Sequence, residues 1–541
     1  MTPDFDRTWE RREYLDETLR FIENEFAYAA YMVSTLKRGD HRDRLFAPAA
    51  ENYLRSLREA KDAALQSTPS RPHQIANELQ TFLENFPALM RTLTAAMTQR
   101  REDTFPRPVI GDARTMFAPS EVAIEYPVTI RAAEALNEDY HSRVGAFYEP
   151  WPGSGPPLVN IAGGTAASLQ TQTQIRISRK LEDSCRQMLN FSCITLPRWS
   201  PQHIRMFAIA AHEHIHRVLR LVELAREEID SVFVIEQRAT EQPNNSHDDT
   251  GGHADERHAG SDEASMQLYL DVSDRFEKEV GERILALHKL AHLFAQQIRA
   301  FLIENDIPTL PGVAPGLRAK LQRIIASHHA AEFLADTGAS VIAGPAFLFA
   351  YTTMYFSQPH REAQRILQPN LVKLHQSRHP PTVVRCALQH RVLLALGFKT
   401  VAQKAAPGLG GDWAELSAGP ELIRKYDSFL RRGHLRQLLD EVLKLFIDVA
   451  SASSSSGCYS LVSQGQEEGQ VLTRWKAIAT RIEETDGFSP EDLAGASPAD
   501  LINAIWWKRC LSPGQRPRNR LAWRVALRNC HKQYHETAVE T

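Results

Sequence analysis

Ala211-His212-Glu213-His214-Ile215-His216-Arg217 is the stretch on which the reading of this chain turns. Apolar residues surround it at Ile204, Phe207, Ala208, Ala211, Ile215, Val218, Leu219 and Val222, the three-and-four spacing of a helix with one buried side. Ser200 followed by Pro201 predicts where that helix begins, an N-cap ahead of the one helical position that favours proline. Residues four apart stand above one another on one helix face, so the imidazoles of His212 and His216 can share a metal ion. Glu213 is rotated away from the pair, where its carboxylate can reach water on the metal rather than the metal itself. His214 projects roughly opposite to His212 and cannot join the same ion. The pattern points to a metal-assisted hydrolase.

Zinc held by two imidazoles needs a third protein ligand. The best candidate lies far downstream, in His328-His329-Ala330-Ala331-Glu332-Phe333-Leu334-Ala335-Asp336-Thr337-Gly338-Ala339. Glu332 and Asp336 are four apart, so on a helix one can ligate the ion while the other accepts a proton from a ligand imidazole. Leu321, Ile324, Ile325 and Phe333 support a helix there, and the small residues Ala335, Ala339 and Ala343 permit close packing against another. A third segment, Ser377-Arg378-His379-Pro380-Pro381-Thr382-Val383-Val384-Arg385, places a histidine, a proline turn and an arginine in order.

HExxH followed at long range by Glu-x-x-x-Asp resembles the gluzincin metallopeptidases, and Glu332-Phe-Leu-Ala-Asp336 with the later His-Pro and arginine is similar to their heat-shock and CAAX-processing branch. The resemblance covers roughly residues 185 to 395 and neither end of the chain. It implies that His212, His216 and Glu332 bind Zn2+, that Glu213 is the general base and that Asp336 orients a ligand histidine. It also implies that His379 and Arg385 shape the cleft or support the oxyanion of the tetrahedral intermediate, while Tyr351 and Tyr355 are further donor candidates. The expected reaction is hydrolysis of a peptide bond in a protein or peptide substrate.

Those relatives are commonly embedded in membrane. Here the most apolar window, Gly338 to Phe356, is broken by Gly344, Pro345 and hydroxyl residues and reads as buried core. The acidic start Met1-Thr-Pro-Asp-Phe-Asp6 lacks the basic and apolar regions of a secretory signal. Six cysteines without a CxxC pair fit reduced thiols, so the expectation is a cytoplasmic protein without a membrane span. A net charge of −3 supplies no global attraction to nucleic acid or membrane.

The fold expectation is mainly α, with a zincin-like helical catalytic domain that contains a small β-sheet and helical regions at both ends. Residues 1–110 read as a helical N-terminal domain, closed by the proline-bearing run 105–110, and 111–400 as the catalytic domain. A polar insertion at 241–262 carries His247, His253 and His258, followed by a long amphipathic helical stretch from 262 to 305. Phe191–Leu196 reads as a short strand and the natural edge for an extended peptide, with 158–161 and 173–177 as its neighbours, although all three could equally be core strands. Beyond 401 come helical signals from 420 to 450, a Ser-rich linker at 451–457 and a basic tail. That tail holds eight Lys or Arg against two Glu over 501–541, interleaved with Trp506, Trp507 and Trp523, a composition suited either to an acidic or nucleic-acid partner or to a packed domain with a solvated face. Two other functions fit parts of the pattern. One is a di-iron carboxylate oxidoreductase using Glu213, His216, His329 and Glu332, and the other a protease-like interaction protein without activity.

Overall fold

A computed structural model describes residues 120–161, 168–171, 181–190, 192–196, 204–241, 274–309, 314–354, 379–404, 421–453, 458–484 and 496–511, with isolated positions between 30 and 62, at 268, 271 and 272, and between 523 and 527. The expected domain at 1–110 therefore lies almost wholly outside the described residues, as do the proline run at 105–110, Ser200 and Pro201, the histidines of the insertion, and Tyr355.

The described chain is mainly helical. Its principal helices are α1 (Ser120–Arg143), α2 (Leu181–Asn190), α3 (Ala210–Glu241), α4 (Glu282–Glu304), α5 (Pro315–Ala343), α6 (Pro345–Met354), α7 (Thr382–Ala395), α8 (Glu421–Leu430), α9 (Gly433–Ser453), α10 (Glu468–Glu484) and α11 (Pro498–Leu511). The helix expected around the His-Glu-x-x-His motif is present. It is entered through a 3-10 segment, Ile204–Ile209, before α3 proper. Pro315 occupies the first turn of α5, where its missing N–H costs nothing. The stretch expected to be helical from 262 to 305 is interrupted at Gly281, whose φ of +79° and contact with the Pro150 ring exclude a side chain. The apolar pattern runs through that break because residues on both sides face the same core. The Ser-rich run predicted as a linker is helical through Ser453, and 454–457 fall outside the described residues.

Three short strands form one mixed sheet in the order β1 (Leu158–Ile161), β3 (Ser192–Leu196), β2 (Ser168–Thr171). β1 pairs parallel with β3, Leu158 opposite Cys193, and β2 pairs antiparallel, Ser168 opposite Thr195. The strand expected as the free edge is thus the centre of the sheet, with its backbone groups used on both sides. Its apolar, β-branched content reflects that central place. The third strand forms at 168–171, ahead of the expected 173–177, which lies outside the described residues.

One hydrophobic core runs through the described chain, from Ala132 in α1 to Trp506 in α11. Helix α5 lies at its centre against α3, α4, α7 and α9, and every residue from Phe333 to Ala343 is buried. The part of the apolar window whose burial is described, 338 to 353, is buried core as expected, and no described helix is long and apolar enough to cross a membrane. The C-terminal tryptophans also belong to the core: Trp506 stacks on Phe349 and donates to the Arg205 carbonyl at 3.0 Å, while Trp507 and Trp523 are buried. Their faces are therefore not open to stack on bases. Of the basic residues interleaved with them, Arg509 is buried, and Arg516, Arg518, Arg520, Arg524, Arg528 and Lys532 lie outside the described residues.

The approach of α3 to α5 is set at Gly338, where an added Cβ would lie 2.9 Å from the Ile215 side chain and 2.9 Å from the Phe446 ring of α9. Alanine would favour the helix by about 1 kcal/mol, but overpacking here opposes it by about 1–3 kcal/mol. We expect Gly338→Ala to lower the midpoint of thermal unfolding; an unchanged or raised midpoint would show that the interface yields easily. Acid stability follows from His288 of α4, 1% exposed. Burial, and then the nearby His292 and Arg226, push its pKa down to about 4. The folded chain keeps this ring neutral while the unfolded chain protonates it near 6.5, so stability falls with pH between those values, by up to about 3 kcal/mol, and is unaffected by this group above neutrality. Chemical denaturation of His288→Gln across pH 4 to 7 is expected to show a shallower acid loss than the parent.

Candidate metal centre

Helix α3 supplies His212 and His216 one turn apart, and α5 supplies Glu332 and Asp336 one turn apart, so the contact between two helices brings four side chains together. The two Nε2 atoms converge to 2.9 Å. Glu332 closes the triangle, with Oε2 3.4 Å from His212 Nε2 and Oε1 3.4 Å from His216 Nε2. A tetrahedral zinc with bonds of about 2.0–2.1 Å spaces its ligand atoms about 3.3 Å apart, so these separations fit such an ion. His212, His216 and Glu332 are the group among the described residues whose donor atoms gather closely enough to hold one.

Around this triangle stands a second set of contacts. Asp336 Oδ1 lies 3.1 Å from His212 Nδ1, off the line of the ring N–H. The Pro380-Pro381 turn starts α7 and puts Arg385 in its first turn, pointing back at α5. Arg385 Nε and Nη2 each donate to an Asp336 oxygen at 2.7 Å, and Nη1 is 2.7 Å from Glu332 Oε2. Its guanidinium lies over the Tyr351 ring at 4.7 Å. Both carboxylates are buried, which by itself raises their pKa, yet the charge of Arg385 together with hydrogen bonds from the surrounding histidines and from Arg385 itself holds both below their ordinary values. Burial opposes charge on His212 as well, but Asp336 and Glu332 prevail and push it up to about 9. Once His212 gives up its proton, as a metal ligand must, two carboxylates against one guanidinium leave the cage with surplus negative charge, the field a dication requires.

Access comes from one side. The side chains of His212, Glu332, Asp336 and Arg385 are at most 9% exposed, whereas His216 is 24% and His379 61% exposed. His379 Nδ1 sits 3.1 Å from Glu332 Oε1 at that open side. Phe347 of α6 stacks on His212 and walls the other. Glu213 is buried, and among the described residues no hydrogen bond or ion pair holds its carboxylate. His214 turns away from the cluster, its Nε2 2.7 Å from Asn137 Oδ1 of α1. His329 is likewise turned away, its Nδ1 2.7 Å from the Tyr426 hydroxyl.

The structure therefore brings together six of the residues singled out in the sequence, namely His212, His216, Glu332, Asp336, His379 and Arg385. The double engagement of Arg385 had no local signal, because its partners are 49 and 53 residues earlier in the chain. Comparison with protein-family models, with curated proteins and with solved structures finds no match in any of the three.

Removing the guanidinium would strand two buried carboxylates, a loss of about 3–5 kcal/mol for a broken buried pair. Arg385→Leu is expected to lower the unfolding free energy from denaturant titration by that amount, and addition of zinc to recover part of the loss; no change would mean that Arg385 is dispensable to the cage.

Proposed function

We propose that this protein is a cytoplasmic zinc-dependent peptidase of the gluzincin type. The observation that carries the proposal is the convergence of His212, His216 and Glu332 from two helices, with Asp336 behind His212. Two imidazoles and one carboxylate leave a coordination position open, and a zinc ion held there supplies Lewis acidity, lowering the pKa of water toward neutrality and polarising a carbonyl.

The chain's own groups do the rest. Glu213 follows His212 in α3, is buried and has no counter-ion among the described residues, so its carboxylate is available to take a proton from the attacking water. The oxygen of that water bonds to the carbonyl carbon, the C–N bond breaks, and the proton is delivered to the leaving nitrogen. Arg385 is engaged by Glu332 and Asp336 and holds them in place instead of reaching substrate. His379, exposed at the entrance, is the donor best placed to meet an arriving carbonyl oxygen. Six cysteines with no CxxC pair and no dense framework support a reducing compartment. A di-iron oxidoreductase would need His329 beside Glu332 in the cluster, and its bond to Tyr426 takes it elsewhere.

Three substitutions test the proposal together. We expect His212→Ala and Glu332→Ala to lose bound zinc, measured by metal analysis after dialysis. Glu213→Gln should keep its zinc and lose cleavage of a broad peptide library by at least about 100-fold, the scale of general-base catalysis. Equal zinc content in the parent and both ligand variants would sink the metal centre. Zinc without cleavage in the parent would instead favour an inactive, protease-like binding protein.

A further inference from the structure

The motif contains a histidine that the chemistry leaves unused, His214, and is followed by a fully buried arginine, Arg217. Among the described residues no carboxylate stands within ion-pair distance of Arg217, so its burial needs another explanation. At about 100° per residue, positions 214 and 217 share the helix face roughly opposite to 212 and 216.

Every polar contact on that face leads to the same place. Arg217 Nη2 donates to the carbonyls of Gly155 at 2.8 Å and Leu189 at 2.7 Å. Asn137 Nδ2 donates to the Pro157 carbonyl at 2.7 Å, which leaves its Oδ1 to accept, at 2.7 Å, from His214 Nε2–H. His141 Nε2 lies 3.1 Å from the Ser154 carbonyl, so it donates there and its Nδ1 accepts from Arg217 Nη1 at 3.2 Å. The donors and acceptors form one consistent chain. Its carbonyls belong to 154, 155 and 157, immediately before β1, and to 189, shortly before β3.

We infer that His214 and Arg217, with Asn137 and His141 of α1, are positioning residues that fix the rotation of α3 about its own axis, and with it the aim of His212 and His216. This inference rests on the metal-centre reading above. Side-chain atoms stand about 5–6 Å from a helix axis, so a 10° rotation displaces them by about 1 Å. Metal–ligand distances tolerate only about 0.2 Å. Packing of apolar side chains into a groove resists separation of helices more than rotation, whereas directional hydrogen bonds to fixed carbonyls resist rotation. The guanidinium, placed over the Tyr148 ring at 5.0 Å and donating to carbonyls from two chain segments, serves this end without a carboxylate that would compete for the metal.

The test measures metal binding in the intact chain, with zinc affinity read by competition with a chelator and site geometry by the visible spectrum of the Co2+-loaded protein. His214→Leu and Asn137→Leu are each expected to weaken zinc binding about 10–100-fold, the usual effect of losing a group that orients a ligand. The double variant should be little weaker than either single one, because both remove the same bond. His214→Gln, which presents an N–H near the position of Nε2, should restore affinity to within a few-fold of the parent, and the cobalt bands should shift in the leucine variants only. Arg217→Lys, which keeps the charge and loses the two-carbonyl grip, should also weaken binding and is decisive should the leucine variants not fold. If the parent binds zinc and these variants bind it equally well with unchanged cobalt bands, the inference fails while the metal centre stands. A parent that binds neither metal stoichiometrically overturns both.

Discussion

Two helices whose contacting residues lie more than a hundred positions apart in the chain must touch at one place for anything else in this molecule to matter, and that contact is made where Gly338 of α5 receives Ile215 of α3. Ile215 lies between His214 and His216, and Gly338 follows Asp336 by two positions. The lack of a side chain at one residue thus sets the separation at which two imidazoles meet one carboxylate. The same glycine receives Phe446 of α9, so a helix expected to belong to a C-terminal region supports the centre from behind. A helix interior normally disfavours glycine. Here the lost propensity is offset by the contacts that the close approach allows.

Close approach alone would gather like charges in a dry place. Glu332 and Asp336 are one turn apart and both buried, an arrangement that would drive one of them to take up a proton. Arg385 prevents this by lying against both, and the proline turn before α7 directs it there. The arrangement is economical in chain length, since 379 to 385 supply both the residue at the open side and the buried counter-ion. The guanidinium covers the side of Glu332 away from His216 and favours its ionised form, which the proposed role as a metal ligand requires.

Much of this was legible because its signals are local. The pairs 212/216 and 332/336 are helical repeats that any amphipathic pattern displays, and small residues at 335, 339 and 343 announce a helix neighbour. The strand order was not legible: a run such as Ser192–Leu196 looks alike at the centre or the edge of a sheet, and only pairing with β1 and β2 decides. Gly281 was hidden by an apolar periodicity that continues on both sides of it. The tryptophans near the C-terminus resembled an interaction surface because charge and aromaticity are compositional, while burial depends on partners such as Phe349, more than 150 residues away. Asn137 offered no signal at all, being an ordinary residue of α1 until His214 is placed against it.

Helix α3 therefore does different work on its two sides. One side points imidazoles at two buried carboxylates, a cage in which a cation would be stabilised. The other carries Arg217, a permanent positive charge satisfied by neutral carbonyls and an aromatic face. Exchanging these environments would defeat both: a carboxylate behind the helix would add a competing anion, and an unpaired guanidinium among the ligands would repel the ion. The separation by about half a turn, His212 and His216 against His214 and Arg217, follows from helix periodicity. On the proposed reading, the histidine-rich motif is a set of metal ligands interleaved with groups that hold their helix still, which accounts for its density of polar residues in a buried segment.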